Sequence, residues 1–89
     1  MRYVTRLPFE VRELLRESDP DVRSIERLPG FVDIGLLDRS CNRYELTIEV
    51  EAGSLRDALD AAEELLVDYQ DALASYHPRP LATLAPEPR

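Results

Sequence analysis

Lysine and tryptophan are absent from this chain of 89 residues, cysteine and histidine occur once each, and glycine occurs three times. A lone Cys41 forbids an internal disulfide and fits a reducing compartment. Gly30, Gly35 and Gly53 stand apart from one another, so there is no glycine-rich phosphate loop. No apolar run approaches the roughly 18 residues of a membrane span, and the start Met1-Arg2-Tyr3-Val4-Thr5 holds no apolar signal core. A cytoplasmic chain without membrane contact is expected. Zinc-ligand spacing, a nucleophile elbow and a basic-aromatic patch are also missing. No cofactor and no metal are expected, and the sequence points away from an enzyme.

What is present is charge, unevenly placed. All 11 basic residues are arginine, and the formal net charge is −7. Met1 to Arg43 carries eight arginines against eight acids, whereas Tyr44 to Arg89 carries three against ten. The whole excess therefore lies in the second half. A free acidic surface disfavours direct binding to nucleic-acid phosphates or anionic membranes. It permits a protein partner that is basic.

That half opens on Arg43 to Tyr76, a strand running into a long helix. Tyr44, Leu46, Ile48 and Val50 alternate with Glu45, Thr47, Glu49 and Glu51, the pattern of an antiparallel strand with one wet face. Ala52-Gly53 breaks the run. Ser54 follows as a helix N-cap, with Asp57 at the capping-box position. Leu55, Ala58, Leu59, Ala62, Leu65, Leu66, Tyr69, Ala72, Leu73 and Tyr76 then recur by threes and fours on one stripe. Pro78 stops the helix near Tyr76. On the opposite side Asp57, Asp60, Glu64, Asp68 and Asp71 form a single acidic row, with Glu63 beside it and Arg56 the one basic residue. Like charges at i,i+4 cost about 0.2–0.5 kcal/mol per pair. Local helix physics does not ask for this row. A solvated face explains it most simply, and a docking face for a basic partner is the functional alternative. Carboxylates on one rigid helix rarely wrap a cation that wants six or so oxygens.

Earlier in the chain, Arg2 to Leu7 reads as a first strand. Pro8 suits the first position of a helix over Pro8–Glu17, with Val11, Leu14 and Leu15 inward. Asp19 then caps a short helix from Pro20 to Leu28, built on Val22, Ile25 and Leu28. A strand over the same residues, turning at Leu28-Pro29-Gly30-Phe31, is the alternative. Phe31 to Leu37 reads as a strand with Val32, Ile34 and Leu36 toward the core, and with Gly35 as a bulge or a close approach. Asp38 to Asn42 is turn chemistry joining it to the next strand. A single α+β domain is expected over residues 1–77. The tail 78–89 is Pro-rich, either irregular or adding an edge strand at Leu81–Leu84.

The order βαββα(β) resembles the ferredoxin-like arrangement, a small antiparallel sheet with helices packed on one face. A helix ending in Leu28-Pro29-Gly30 before a hairpin resembles small metal-chaperone domains of that fold, but their paired cysteines are missing here. The leading functional expectation is a small acidic interaction or regulatory module that works by protein binding, as a homodimer. The alternatives are an inhibitor, immunity protein or nucleic-acid mimic whose row Asp57, Asp60, Glu64, Asp68 and Asp71 occupies a basic site, and a small ligand-binding domain or enzyme. A catalytic version would need Cys41, flanked by Arg39 and Arg43, to meet His77 at the helix end.

Overall fold

A computed structural model describes residues 1–89. In chain order it contains β1 (Arg2–Glu10), α1 (Pro20–Ser24), β2 (Phe31–Asp38), β3 (Arg43–Glu51), α2 (Leu55–Ala72), β4 (Arg79–Pro80) and β5 (Glu87–Pro88). Single 3-10 turns extend α1 through Ile25–Arg27 and follow α2 at Ala74–Tyr76. The protein is an α+β domain with a five-stranded antiparallel sheet and two helices. The strand order is β2-β3-β1-β4, and β5 lies beside β4 on the same edge of β1.

The strand β3 and the helix α2 form where their periodicities place them. Leu46, Ile48 and Val50 are buried, and so are Ala58, Ala62 and Tyr69 beneath the helix. Ser54 Oγ accepts the Asp57 N–H at 3.2 Å, which starts the helix, although no reciprocal bond closes a full capping box. The helix stops at Ala72, sooner than Pro78 alone requires. Tyr76 stays buried through the 3-10 turn, and His77 ends it in a left-handed conformation at φ 52°.

The helix expected over Pro8–Glu17 does not form. Instead β1 runs on to Glu10, because Tyr3, Thr5, Leu7, Phe9 and Val11 continue a period of two and are all buried. Pro8 is compatible with this because its missing N–H falls on the tail side of β1, where its carbonyl accepts from the Leu81 N–H at 2.9 Å. Residues 11–19 cross to α1 without a helix. The short helix at Pro20 is present, capped by Asp19 Oδ1, which accepts the Asp21 N–H at 2.9 Å. Its alternative as a strand is ruled out. The tight turn is nevertheless there: Gly30 sits at φ +79°, where an added Cβ would lie 2.7 Å from the Glu49 carbonyl oxygen.

Both helices lie on one face of the sheet, since Ile25, Ala62, Tyr69 and Leu73 share one apolar cluster with Phe9, Leu46 and Ile48. The strand β2 departs from its expected facing. Its register against β3 shifts at Val32 and again at Leu37. Phe31, Ile34 and Leu36 therefore face the helices, while Val32 is turned away and is 47% exposed. The bulges fall on these two residues and not on Gly35. The tail does not pair at Leu81–Leu84. It touches β1 at Arg79–Pro80 and at Glu87–Pro88, and Leu84 packs on the main cluster between them.

Candidate functional site

Two surfaces stand out, and they differ in chemistry. The first is the outer side of α2. Asp57, Asp60, Glu64, Asp68 and Asp71 are all exposed, as is Glu63. Only Asp60 has a cation near it, Arg56 at 4.0 Å, and both side chains are largely in water, so the pair contributes little. Four arginines are committed elsewhere, and Arg16 pairs with Glu13 and Asp19. On the sheet face turned away from the helices, Arg2 and Arg89 meet Glu49, and Arg43 and Arg79 meet Glu10. The structure thus brings the five acids onto one helix side and leaves their charge uncompensated within the chain.

The second surface is the free edge at β2 with the hollow beside it. The helix α1 and its 3-10 extension cover only part of the β2 face, because eight residues of helix are roughly half as long as eight residues of strand. The uncovered part is a cleft of about 640 Å³. Its floor is Ile34, Leu36 and Tyr44, and its walls include Leu15, Val22 and Ile25. Glu17, Arg23, Glu26 and Arg39 stand around it, two of each sign, and none of the four has an ion-pair partner.

Two tyrosine hydroxyls hold the irregular segment that walls this cleft. Tyr44 Oη accepts the Leu15 N–H at 3.0 Å. Tyr76 Oη donates to Asp19 Oδ2 at 2.7 Å and accepts the Arg16 N–H at 3.4 Å, while the Arg16 guanidinium lies 5.5 Å from the Tyr76 ring centre. The Tyr76 hydroxyl, then the Asp21 N–H, lower the Asp19 carboxyl below its ordinary value. Burial, then the bond to Asp19, push the Tyr76 hydroxyl up. A third tyrosine, Tyr69, donates to the Pro29 carbonyl at 3.0 Å and so ties α2 to the turn before β2. Burial, with the nearby Asp68 charge second, pushes its hydroxyl up to about 12.

Cys41 and His77 are not assembled into a dyad. Cys41 is exposed at the hairpin turn, with Ser40 Oγ 3.7 Å from its sulfur. No hydrogen bond joins it to His77, and no cavity is lined by either residue. No group of three or more His, Cys, Asp or Glu side chains is placed to hold a metal ion. No helix is long and apolar enough to cross a membrane.

The acidic row was visible in its spacing of threes and fours. The cleft and the exposed β2 edge were not, because they follow from a short α1 and from two bulges. Comparison with known protein families, with curated proteins and with solved structures finds no match.

Proposed function

We propose that this is a ferredoxin-like, non-catalytic module that acts in the cytoplasm by binding protein, presenting the acidic side of α2 to a basic partner and associating with a second copy of itself. The strand order, the antiparallel neighbours and the placing of both helices on one face support the ferredoxin-like reading. One observation carries the function: Asp57, Glu64, Asp68 and Asp71 are exposed with no cation within salt-bridge reach, while Arg2, Arg43, Arg79 and Arg89 pair with acids on the opposite side of the sheet. A row of like charges that the monomer leaves unneutralised is complementary to a positive surface.

Retention of a partner from a cell extract by the wild-type chain and by the Glu64→Lys, Asp68→Lys double variant, at low and high salt, tests the acidic contact. Binding that is lost on charge reversal and weakened by salt is expected. Undiminished capture by the double variant overturns it. Sedimentation of the pure chain tests the second half, and a monomer at high concentration removes self-association.

A further inference from the structure

The self-association proposed above needs a surface, and the two edges of the sheet are not equivalent. The β1 edge is occupied by the chain's own tail, through Leu81 N–H to the Pro8 carbonyl and Arg89 N–H to the Arg2 carbonyl, each at 2.9 Å. The β2 edge has no neighbour. It also carries unusual exposed apolar area, with Leu36 43% and Leu37 55% accessible beside Val32. A bare, apolar edge strand is a template for another strand.

The backbone directions on this edge can be assigned. Asn42 gives its carbonyl to Val11 at the end of β1, and Glu49 gives its N–H to Gly30 at the start of β2. Even-numbered residues of β3 therefore bond toward β1 and odd-numbered ones toward β2. Thr47 and Glu45 pair with Asp33 and Gly35. Between the two bulges, the N–H and carbonyl groups of Ile34 and Leu36 are then the ones that point outward.

From this we infer that β2 pairs with β2 of a second copy, antiparallel, about a two-fold axis at Gly35. Ile34 of each copy faces Leu36 of the other as a bonded pair, which gives four main-chain hydrogen bonds. Gly35 faces Gly35 as the non-bonded pair, where Cα atoms approach to about 4.5 Å. A glycine costs about 0.5–1 kcal/mol relative to alanine in a strand, yet a Cβ at Gly35 would meet nothing within 4 Å in one chain and no bulge falls there. Its bareness suits the close contact on the axis. Ile34 and Leu36 also floor the cleft, so the pairing makes one apolar strip from the two floors. The four charged residues around the cleft, Glu17, Arg23, Glu26 and Arg39, sum to zero, and in this register Asp33 and Asp38 of the strand lie opposite Leu37 and Val32 of the second copy and not opposite an acid, whereas α2 would repel its like.

A disulfide suits Cα separations of about 4.4–6.8 Å, so a cysteine on the axis reports this register. Cys41 sits in the hairpin turn beyond Asp38, so three residues of strand at roughly 3.3 Å each already place it about 10 Å or more from the axis and roughly 20 Å or more from its counterpart, too far to cross-link within the dimer. The experiment oxidises the Gly35→Cys, Cys41→Ser variant of the full chain beside the wild type. In parallel it measures the association of Leu36→Lys by sedimentation, with circular dichroism as the check on folding. Rapid covalent dimer from the Gly35 variant alone, and at least tenfold weaker association of a folded Leu36→Lys, are expected. A dimer that neither cross-links at Gly35 nor responds to Leu36→Lys overturns this pairing and leaves self-association standing. A folded wild-type monomer at high concentration overturns both.

Discussion

The two edges of the sheet solve the same problem in opposite ways. At β1, proline-rich chain folds back and touches the strand at both ends, and the prolines are harmless because an edge strand need not donate on its outer side. At β2, nothing returns; two bulges and the acids Asp33 and Asp38 interrupt the edge, but Ile34, Leu36 and Leu37 remain accessible to some degree. Bulges and edge charges ordinarily blunt association. Here they leave a short straight stretch between Asp33 and Leu36, so any pairing is confined to a few residues in one register. The lesson is that a small domain can seal one edge within the chain and leave the other open.

The largest effect separating the edges is expected from removing residues 78–89. That deletes the main-chain bonds to Pro8 and Arg2 and the packing of Leu84, for about 3 kcal/mol at roughly 1 kcal/mol per bond plus the buried apolar group. The urea midpoint should fall and the chain should aggregate through a second bare edge. An unchanged midpoint would show that the tail seals nothing.

The next contrast lies within β2 and its turn. Gly30→Ala forces a side chain into a positive φ and against the Glu49 carbonyl, and should cost about 2 kcal/mol by thermal unfolding. Gly35→Ala, with open space around it, should be neutral or stabilising by up to about 1 kcal/mol in the dilute monomer. Equal losses at the two positions would mean that Gly35 is confined within one chain after all.

The smallest effect concerns the segment that walls the cleft. Tyr76→Phe removes the hydroxyl shared by Asp19 and Arg16 and should lower the unfolding midpoint slightly near neutral pH. The Asp19 carboxyl is held below its ordinary value. Its contribution is therefore fully present above the usual carboxylate range and is lost as pH falls through the depressed value. The stability difference between wild type and Tyr76→Phe should shrink in acid. A difference that grew on acidification would contradict the bond.

Legibility followed locality. The β3–α2 unit was readable because each residue's face is set by its own periodicity, with Ser54 as a local start signal and no interruption before the helix end. The acidic row came with it. Pro8 misled, since a proline that begins a helix and a proline on an edge strand look alike until the neighbour of that edge is known. Val32 misled for a related reason: which of Val32 and Ile34 turns inward depends on a bulge, and a bulge exists only relative to a partner strand. The cleft had no local signal at all.

From the residues alone, then, come the alternating strand, the amphipathic helix, the uneven charge and the row Asp57, Asp60, Glu64, Asp68 and Asp71. Only the tertiary structure decided which sheet edge is covered, how far α1 reaches over β2, and which aliphatic side chains remain in water. The physical reason is that side-chain facing within an element is a matter of backbone period, whereas edges, bulges and hollows are relations between segments far apart in the chain.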